Sequence, residues 1–253
     1  MKEINAVLFD LDGTMVDSNQ ILIDSFNHTF NHFFPEVYFT YDDYIHMIGP
    51  TLEETFSALE KNPEKVKNMI QFFRKYYLKN EYDSIKIYPN LIDTLIKLKE
   101  MGIQTGIVTT KFKESAVPSI DYFELHKYID VYVYLDSVSK AKPDAEPIIF
   151  AKNQLNNPKE IIIIGDNPSD IQAGKNANIL TCGVEWSLKQ KQLKSANPDF
   201  WIYDFNQLIP IINKYNMEVL EWIVFFVKLL KVKYQAIKFM KMNMSWLSWI
   251  FLN

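Results

Sequence analysis

The chain has 253 residues, 48% hydrophobic and 23% charged, with a formal net charge of −4. That is ample for one large or two small cores, and the absence of a basic field argues against a nucleic-acid partner. The single cysteine, Cys182, rules out an intrachain disulfide and suits a reducing compartment.

In chain order, the first apolar run is Ala6 to Phe9. It is too short for a signal-peptide core and meets Asp10 at once, so a cytoplasmic protein is expected. Residues 18–83 read as helical, with breaks near Pro35, Gly49-Pro50 and Pro63. Within them Thr51-Leu52-Glu53-Glu54 is a capping-box pattern that opens a helix.

Apolar runs then resume at Ile103 to Val108, Val131 to Leu135, Ile161 to Ile164 and Ile179 to Val184. None alternates cleanly, as expected of parallel strands covered on both faces. Helices are expected at Leu91 to Met101, which ends at Gly102, at Pro147 to Leu155 and at Pro168 to Ala177. The alternation predicts an α/β fold: a doubly wound, Rossmann-like parallel sheet with an inserted helical cap domain. The expected division is a core of residues 1–17 and 84–216, a cap of residues 18–83, and an extension of residues 217–253. A cap inserted after the first strand would stand over the carboxyl edge of the sheet, where such folds bind ligands.

The tail from Met217 is rich in Trp, Phe, Met and Lys, and its five lysines against two glutamates give it a charge of +3. It holds no apolar run of about 20 residues, so it does not read as a bilayer span. A non-native extension is the first reading, a helix packed on the core the second, and a basic helix on a membrane surface the last.

The chemistry gathers at strand ends. Asp10-Leu11-Asp12-Gly13-Thr14 follows the first strand, and Gly13 permits a sharp exit. Thr109 closes the run to Val108, Lys142 precedes Pro143 after the next run, and Gly165-Asp166-Asn167-Pro168-Ser169-Asp170 closes the run to Ile164. Each alone is ordinary. Together they set an acid pair, a hydroxyl, a cation and a second acid pair along one sheet edge. His28 and His32 have i, i+4 spacing but no further soft ligand, which argues against zinc. Arg74, the only arginine, reads first as an exposed helix residue and second as a fork for phosphate.

This ordered set resembles the four motifs of the haloacid dehalogenase superfamily of phosphatases, over residues 1 to about 216. A narrower likeness is to the pyrophosphatases of Gram-positive bacteria. It rests on Ile48-Gly49-Pro50-Thr51-Leu52, Gly106-Ile107-Val108-Thr109-Thr110-Lys111, Gly183-Val184-Glu185-Trp186-Ser187-Leu188-Lys189 and Pro198-Asp199-Phe200. Residues 76–83 depart from a histidine-rich stretch of that group.

The resemblance implies Asp10 as nucleophile and Asp12 as general acid and base. It implies Mg²⁺ held by Asp10, Asp166 and the backbone carbonyl of Asp12, with Asn167 and Asp170 behind them. Thr109 and Lys142 would stabilise the phosphoryl oxygens, Lys140 being the competitor for the cation's role. Gly49, Thr110, Lys111 and Arg74 would meet the rest of the substrate, and Lys75 and Lys79 could meet a second phosphate. The acid at position 12 argues against carbon–halogen chemistry, since halide leaves without a proton. The expected reaction is hydrolysis of a small phosphorylated substrate, pyrophosphate first and phosphoglycolate or another monoester second. A protein that binds phosphometabolites without turnover is the alternative of another class. A β-phosphoglucomutase reading lacks a cap histidine soon after Ser18.

Overall fold

The computed structural model describes residues 3–217, 228–231 and 233. The chain begins with β1 (Ile4–Phe9), almost wholly buried, and a two-residue strand β2 (Val16–Asp17). Four helices follow: α1 (Asn19–Phe33), α2 (Tyr41–Met47), α3 (Leu52–Leu59) and α4 (Pro63–Ser84). The expected breaks therefore fall between helices, and Pro63 is the first residue of α4, where its missing N–H has no helical partner to lose. Asn62 caps that helix, and Thr51 with Glu54 forms the capping box that opens α3. A short strand β3 (Lys86–Ile87) pairs antiparallel with β2, so the chain leaves and re-enters the sheet region side by side.

The remainder alternates: α5 (Leu91–Glu100), β4 (Gln104–Val108), α6 (Lys113–Tyr122), β5 (Val131–Val133), α7 (Glu146–Gln154), β6 (Glu160–Gly165), α8 (Pro168–Asn176), β7 (Leu180–Val184), α9 (Gln190–Ser195) and β8 (Phe200–Ile202). A further helix runs over 208–217. The six-stranded sheet has the order β5-β4-β1-β6-β7-β8, all neighbours parallel. The order reverses about β1, which places the switch point of a doubly wound sheet at the end of the first strand.

The expected strands lie within a residue or two of those observed, and one of them ends early. The strand expected to run to Leu135 stops at Val133, because Leu135–Ser137 forms a 3-10 turn in which the Tyr134 N–H donates to Ser137 Oγ at 3.0 Å. The sequence reading missed β8, whose three residues are too few to show a period. It also missed α6, whose interior Pro118 masks the helix.

Side chains from both faces of the sheet form the core, with β1 and β6 at its centre. The helices of residues 19–84 carry a second concentration of aromatics. Phe26 lies 4.7 Å from Phe73 and 5.9 Å from Phe56, centroid to centroid, and Phe30 lies 5.8 Å from Phe56. Burying each such ring contributes about 1.5–3 kcal/mol. Among the described residues no helix is long and apolar enough to cross a membrane. Most of the tail, and with it the three readings of residues 217–253, lies outside the described residues.

Candidate active site

The end of β1 delivers Asp10 to the carboxyl edge of the sheet, where its N–H donates to Ile164 O of β6 at 2.9 Å. The chain then turns through Gly13, whose φ is +77°. A methyl group there would sit 2.4 Å from Asp166 Oδ2, so glycine is required both by the backbone and by the neighbouring carboxylate. From the end of β6 comes Asp166, which accepts from Thr14 Oγ1 at 3.0 Å. Asp170 in the first turn of α8 accepts from Asn167 N at 3.0 Å and so closes the capping box of that helix.

Lys142 joins these groups. Its ammonium lies 2.6 Å from Asp10 Oδ1, 2.6 Å from Asp170 Oδ1 and 2.7 Å from Val108 O. The contacts to Asp10 and Val108 are hydrogen bonds, whereas that to Asp170 is an ion pair without hydrogen-bond geometry, so two of the three ammonium donors are used. Lys142 therefore orients Asp10 and places its charge between two carboxylates. Lys140, its competitor in the sequence, is exposed and pairs with Asp144 at 3.5 Å. Burial pushes the Asp10 carboxyl up to about 7 against the pull of Lys142, and burial followed by the charges of Asp10 and Asp170 raises Asp166. Burial alone would lower Lys142, but Asp10 and Asp170 outweigh it and hold the ammonium charged.

Asp10, Asp166 and Asp170 can each offer an oxygen within 4.8 Å of the others. Three buried carboxylates facing one ammonium leave an excess of negative charge. Hard oxygen donors with such an excess suit a divalent cation. Asp170 thus stands among the carboxylates themselves, closer in than the outer position expected of it. The carboxylate of Asp12 is outside this three-carboxylate group but lines the same cavity. Its Oδ1 accepts from Ser18 Oγ at 2.5 Å and pairs with Lys111 at 3.0 Å, both contacts falling on that one oxygen.

A cavity of about 490 Å³ opens between this edge and the helices of residues 19–84. Asp10, Thr109, Lys142 and Asp166 lie at its floor, and Leu22, Phe26, Ile70, Phe73 and Phe112 contribute to its walls. Thr109 Oγ1 accepts from Lys111 N at 3.1 Å, leaving the hydroxyl proton to donate. The loop after α2 is fastened to the core at the rim. Asn167 Nδ2 and Lys189 Nζ donate to Ile48 O at 3.2 and 2.5 Å, and Thr110 Oγ1 donates to Gly49 O at 3.4 Å. Gly49, at φ +106°, comes so close to Asn167 that a methyl group would overlap its amide.

Arg74 also lines the cavity, with its guanidinium 4.5 Å from the centre of the Phe112 ring. Lys75 and Lys79 are exposed and are not among the lining residues, because they sit on the opposite face of α4. His28 and His32 stack on Phe72, with centroids 4.9 and 4.4 Å away, rather than converging on a ligand site.

The structure therefore gathers Asp10, Lys142, Asp166 and Asp170 at one point, with Thr109 and Asn167 beside them. It assigns Lys111 to Asp12. The sequence reading missed Ser18, Tyr77 and Glu81, which surround Asp12 and Lys111. For Glu81 the signal was present: it continues the buried stripe Val66, Met69, Phe73, Tyr77 of α4 at helical spacing, and an acid in such a stripe calls for a partner.

The family of haloacid dehalogenase-like hydrolases matches residues 7–184. A pyrophosphatase PpaX of Listeria monocytogenes serotype 4b is 41% identical over 212 residues, covering 83% of this chain and 97% of that protein. One from Bacillus cereus is 37% identical over 215 residues, covering 84% and 98%. Among solved structures, a haloacid dehalogenase-like family hydrolase from Streptococcus pneumoniae superposes with a TM-score of 0.71 at 27% identity, covering 83% of this chain and 99% of that one. A predicted phosphoglycolate phosphatase from Haemophilus somnus gives 0.72 at 24% identity, covering 83% and 99%, which is evidence of the shared fold. With a family match over residues 7–184 and relatives that align over nearly their whole length, this chain belongs to the haloacid dehalogenase-like hydrolases.

Proposed function

We propose that this phosphatase hydrolyses inorganic pyrophosphate, with Mg²⁺ as its divalent cation and Asp10 as its nucleophile. The observation that carries the reading is the buried Asp10–Lys142 pair set against two further carboxylates, at the floor of a closed-over cavity. The named activity of relatives up to 41% identical supports the substrate.

Mg²⁺ would be held by Asp10, Asp166 and Asp170 or the backbone of Asp12, and would supply charge neutralisation for the phosphoryl group. Lys142 holds Asp10 Oδ1 and keeps the carboxylate aimed. An Asp10 oxygen forms a bond to phosphorus while the bond from phosphorus to the bridging oxygen breaks, and Asp12 gives that oxygen its proton. Asp12 then takes a proton from water, whose oxygen attacks the aspartyl-phosphate and frees Asp10 and phosphate. Thr109 donates to a phosphoryl oxygen throughout. The helices of residues 18–83 serve as a cap that excludes bulk water and meets the far end of the substrate.

A second reading, a small organic phosphomonoester, is favoured by the apolar walls around Phe26, Phe73 and Phe112, which pyrophosphate would not use. The test is phosphate release from pyrophosphate, phosphoglycolate and aryl phosphates with Mg²⁺. A tenfold higher kcat/KM on pyrophosphate is expected, and a tenfold preference for a monoester would replace the first reading with the second. No turnover of any of them would leave a binding protein.

A further inference from the structure

The geometry points to Glu81 and Lys111 as positioning residues for Asp12, through a buried link that joins the cap helix α4 to the acid–base carboxylate. This rests on the assignment of Asp12 as general acid and base. Lys111 leaves the loop after β4 and reaches three groups. Its ammonium lies 3.0 Å from Asp12 Oδ1, donates to the Tyr77 hydroxyl at 2.9 Å, and lies 3.8 Å from Glu81 Oε1. It also rests over the Tyr77 ring, 4.5 Å from its centre. Tyr77 and Glu81 are one turn apart on α4 and both are buried.

Glu81 is fully buried, and neither of its oxygens sits in hydrogen-bonding geometry with a donor. A carboxylate so placed is costly unless a cation faces it, and Lys111 is the cation that does. Burial raises the Glu81 carboxyl and Lys111 opposes that rise. Conversely, burial would lower Lys111, and Asp12, Tyr77 and Glu81 together hold it raised and charged. Lys111 is thus the group that Asp12, Tyr77 and Glu81 share.

The link has a direction. Asp12 and Lys111 belong to the sheet's carboxyl edge, whereas Tyr77 and Glu81 ride on the cap. When α4 is seated, Glu81 and Tyr77 draw the ammonium to a fixed place, and the ammonium with Ser18 Oγ fixes the Asp12 carboxylate. If α4 moves away, Lys111 loses two of its three partners and Asp12 loses a held cation. The position of the cap is thereby transmitted to the group that protonates the leaving oxygen. Lys111 in this arrangement is occupied, and does not serve as a free cation for a second phosphate.

The test compares two aryl phosphates in the full-length Mg²⁺-loaded protein. Phenyl phosphate needs a proton on its leaving oxygen, whereas p-nitrophenyl phosphate departs without one. Because kcat/KM reads the step in which the leaving group departs, the ratio of the two values isolates the acid. Glu81→Gln is expected to raise the ratio of p-nitrophenyl to phenyl phosphate kcat/KM by on the order of tenfold, a fraction of what a general acid supplies. Lys111→Met carries the same expectation and stands in if Glu81→Gln does not fold. The double variant should be no worse than Lys111→Met alone. An equal loss on both substrates, as from cap damage or a lost substrate cation, would overturn the inference, as would no loss on either. Asp12→Ala separates the two levels. If it raises the ratio and Glu81→Gln does not, the link fails alone; if Asp12→Ala leaves the ratio unchanged, the acid–base assignment beneath it fails.

Discussion

Lys142 and Asp10, 132 residues apart in the chain, meet at 2.6 Å in a buried ion pair. Lys142 should therefore be needed twice, for orientation and for charge. Lys142→Met is expected to lower kcat by about 10²–10³-fold, the scale of losing one preorganised charge-stabilising group. In the metal-free protein it should also destabilise the fold by about 3 kcal/mol, because three buried carboxylates lose their counterion. Steady-state kinetics and urea unfolding in EDTA measure the two effects. A variant that keeps wild-type turnover would remove Lys142 from the site.

The raised carboxyls at positions 10 and 166 give a pH dependence with a definite sign. Both have folded pKa values above the ordinary carboxylate range, chiefly through burial, with Asp10 at about 7. The folded state then holds more protons than the unfolded state between the ordinary value and the raised one, and stability falls as pH rises through that window. In EDTA, the unfolding free energy should decline across this window by on the order of 1 kcal/mol per pH unit for each such group, read as a melting temperature that falls from pH 5 to pH 7.5. A divalent cation should flatten the decline, and Asp10→Asn should reduce it. A metal-free melting temperature that climbs with pH, relative to Asp10→Asn, would contradict this account.

Gly13 meets two constraints at once, a positive φ and the closeness of Asp166. Gly13→Ala should strain the backbone by about 1–3 kcal/mol and push Asp166 out of line. The expected outcome is at least a tenfold weaker affinity for the divalent cation, read by calorimetric titration, with a smaller change in melting temperature.

Arg74 stands at the cavity wall over Phe112 and is not tied to a carboxylate by any described ion pair. Arg74→Met keeps the stem and removes the charge. With pyrophosphate as substrate, KM should rise by about tenfold, the scale of one charged hydrogen bond, while kcat stays within about twofold. A fall in kcat with unchanged KM would mean that Arg74 acts on the reacting phosphoryl group instead.

Much of this was legible in the chain because the relevant signals are local. A strand covered on both faces must be a continuous apolar run, as Ile161 to Ile164 is, and an acid that follows its end stands at the carboxyl edge of the sheet, as Asp166 does. The glycine that lets the chain turn, the capping pattern at Thr51 and the helix-opening Pro63 are likewise properties of neighbouring residues.

Partnerships between distant residues were not legible. Nothing near Lys111 in the chain says that it faces Asp12 and Glu81, and nothing near Lys142 says that it stands between Asp10 and Asp170. The reason is physical. Backbone preference and hydrophobic period act over a few residues, so the order of amino acids determined the sheet, its helices and the set of groups brought to its edge. Which charge meets which depends on how the helices of residues 19–84 pack over that edge. Only the folded chain settled that Lys142 orients Asp10, that Asp170 joins the carboxylate cluster, and that a buried acid from α4 shares its cation with Asp12.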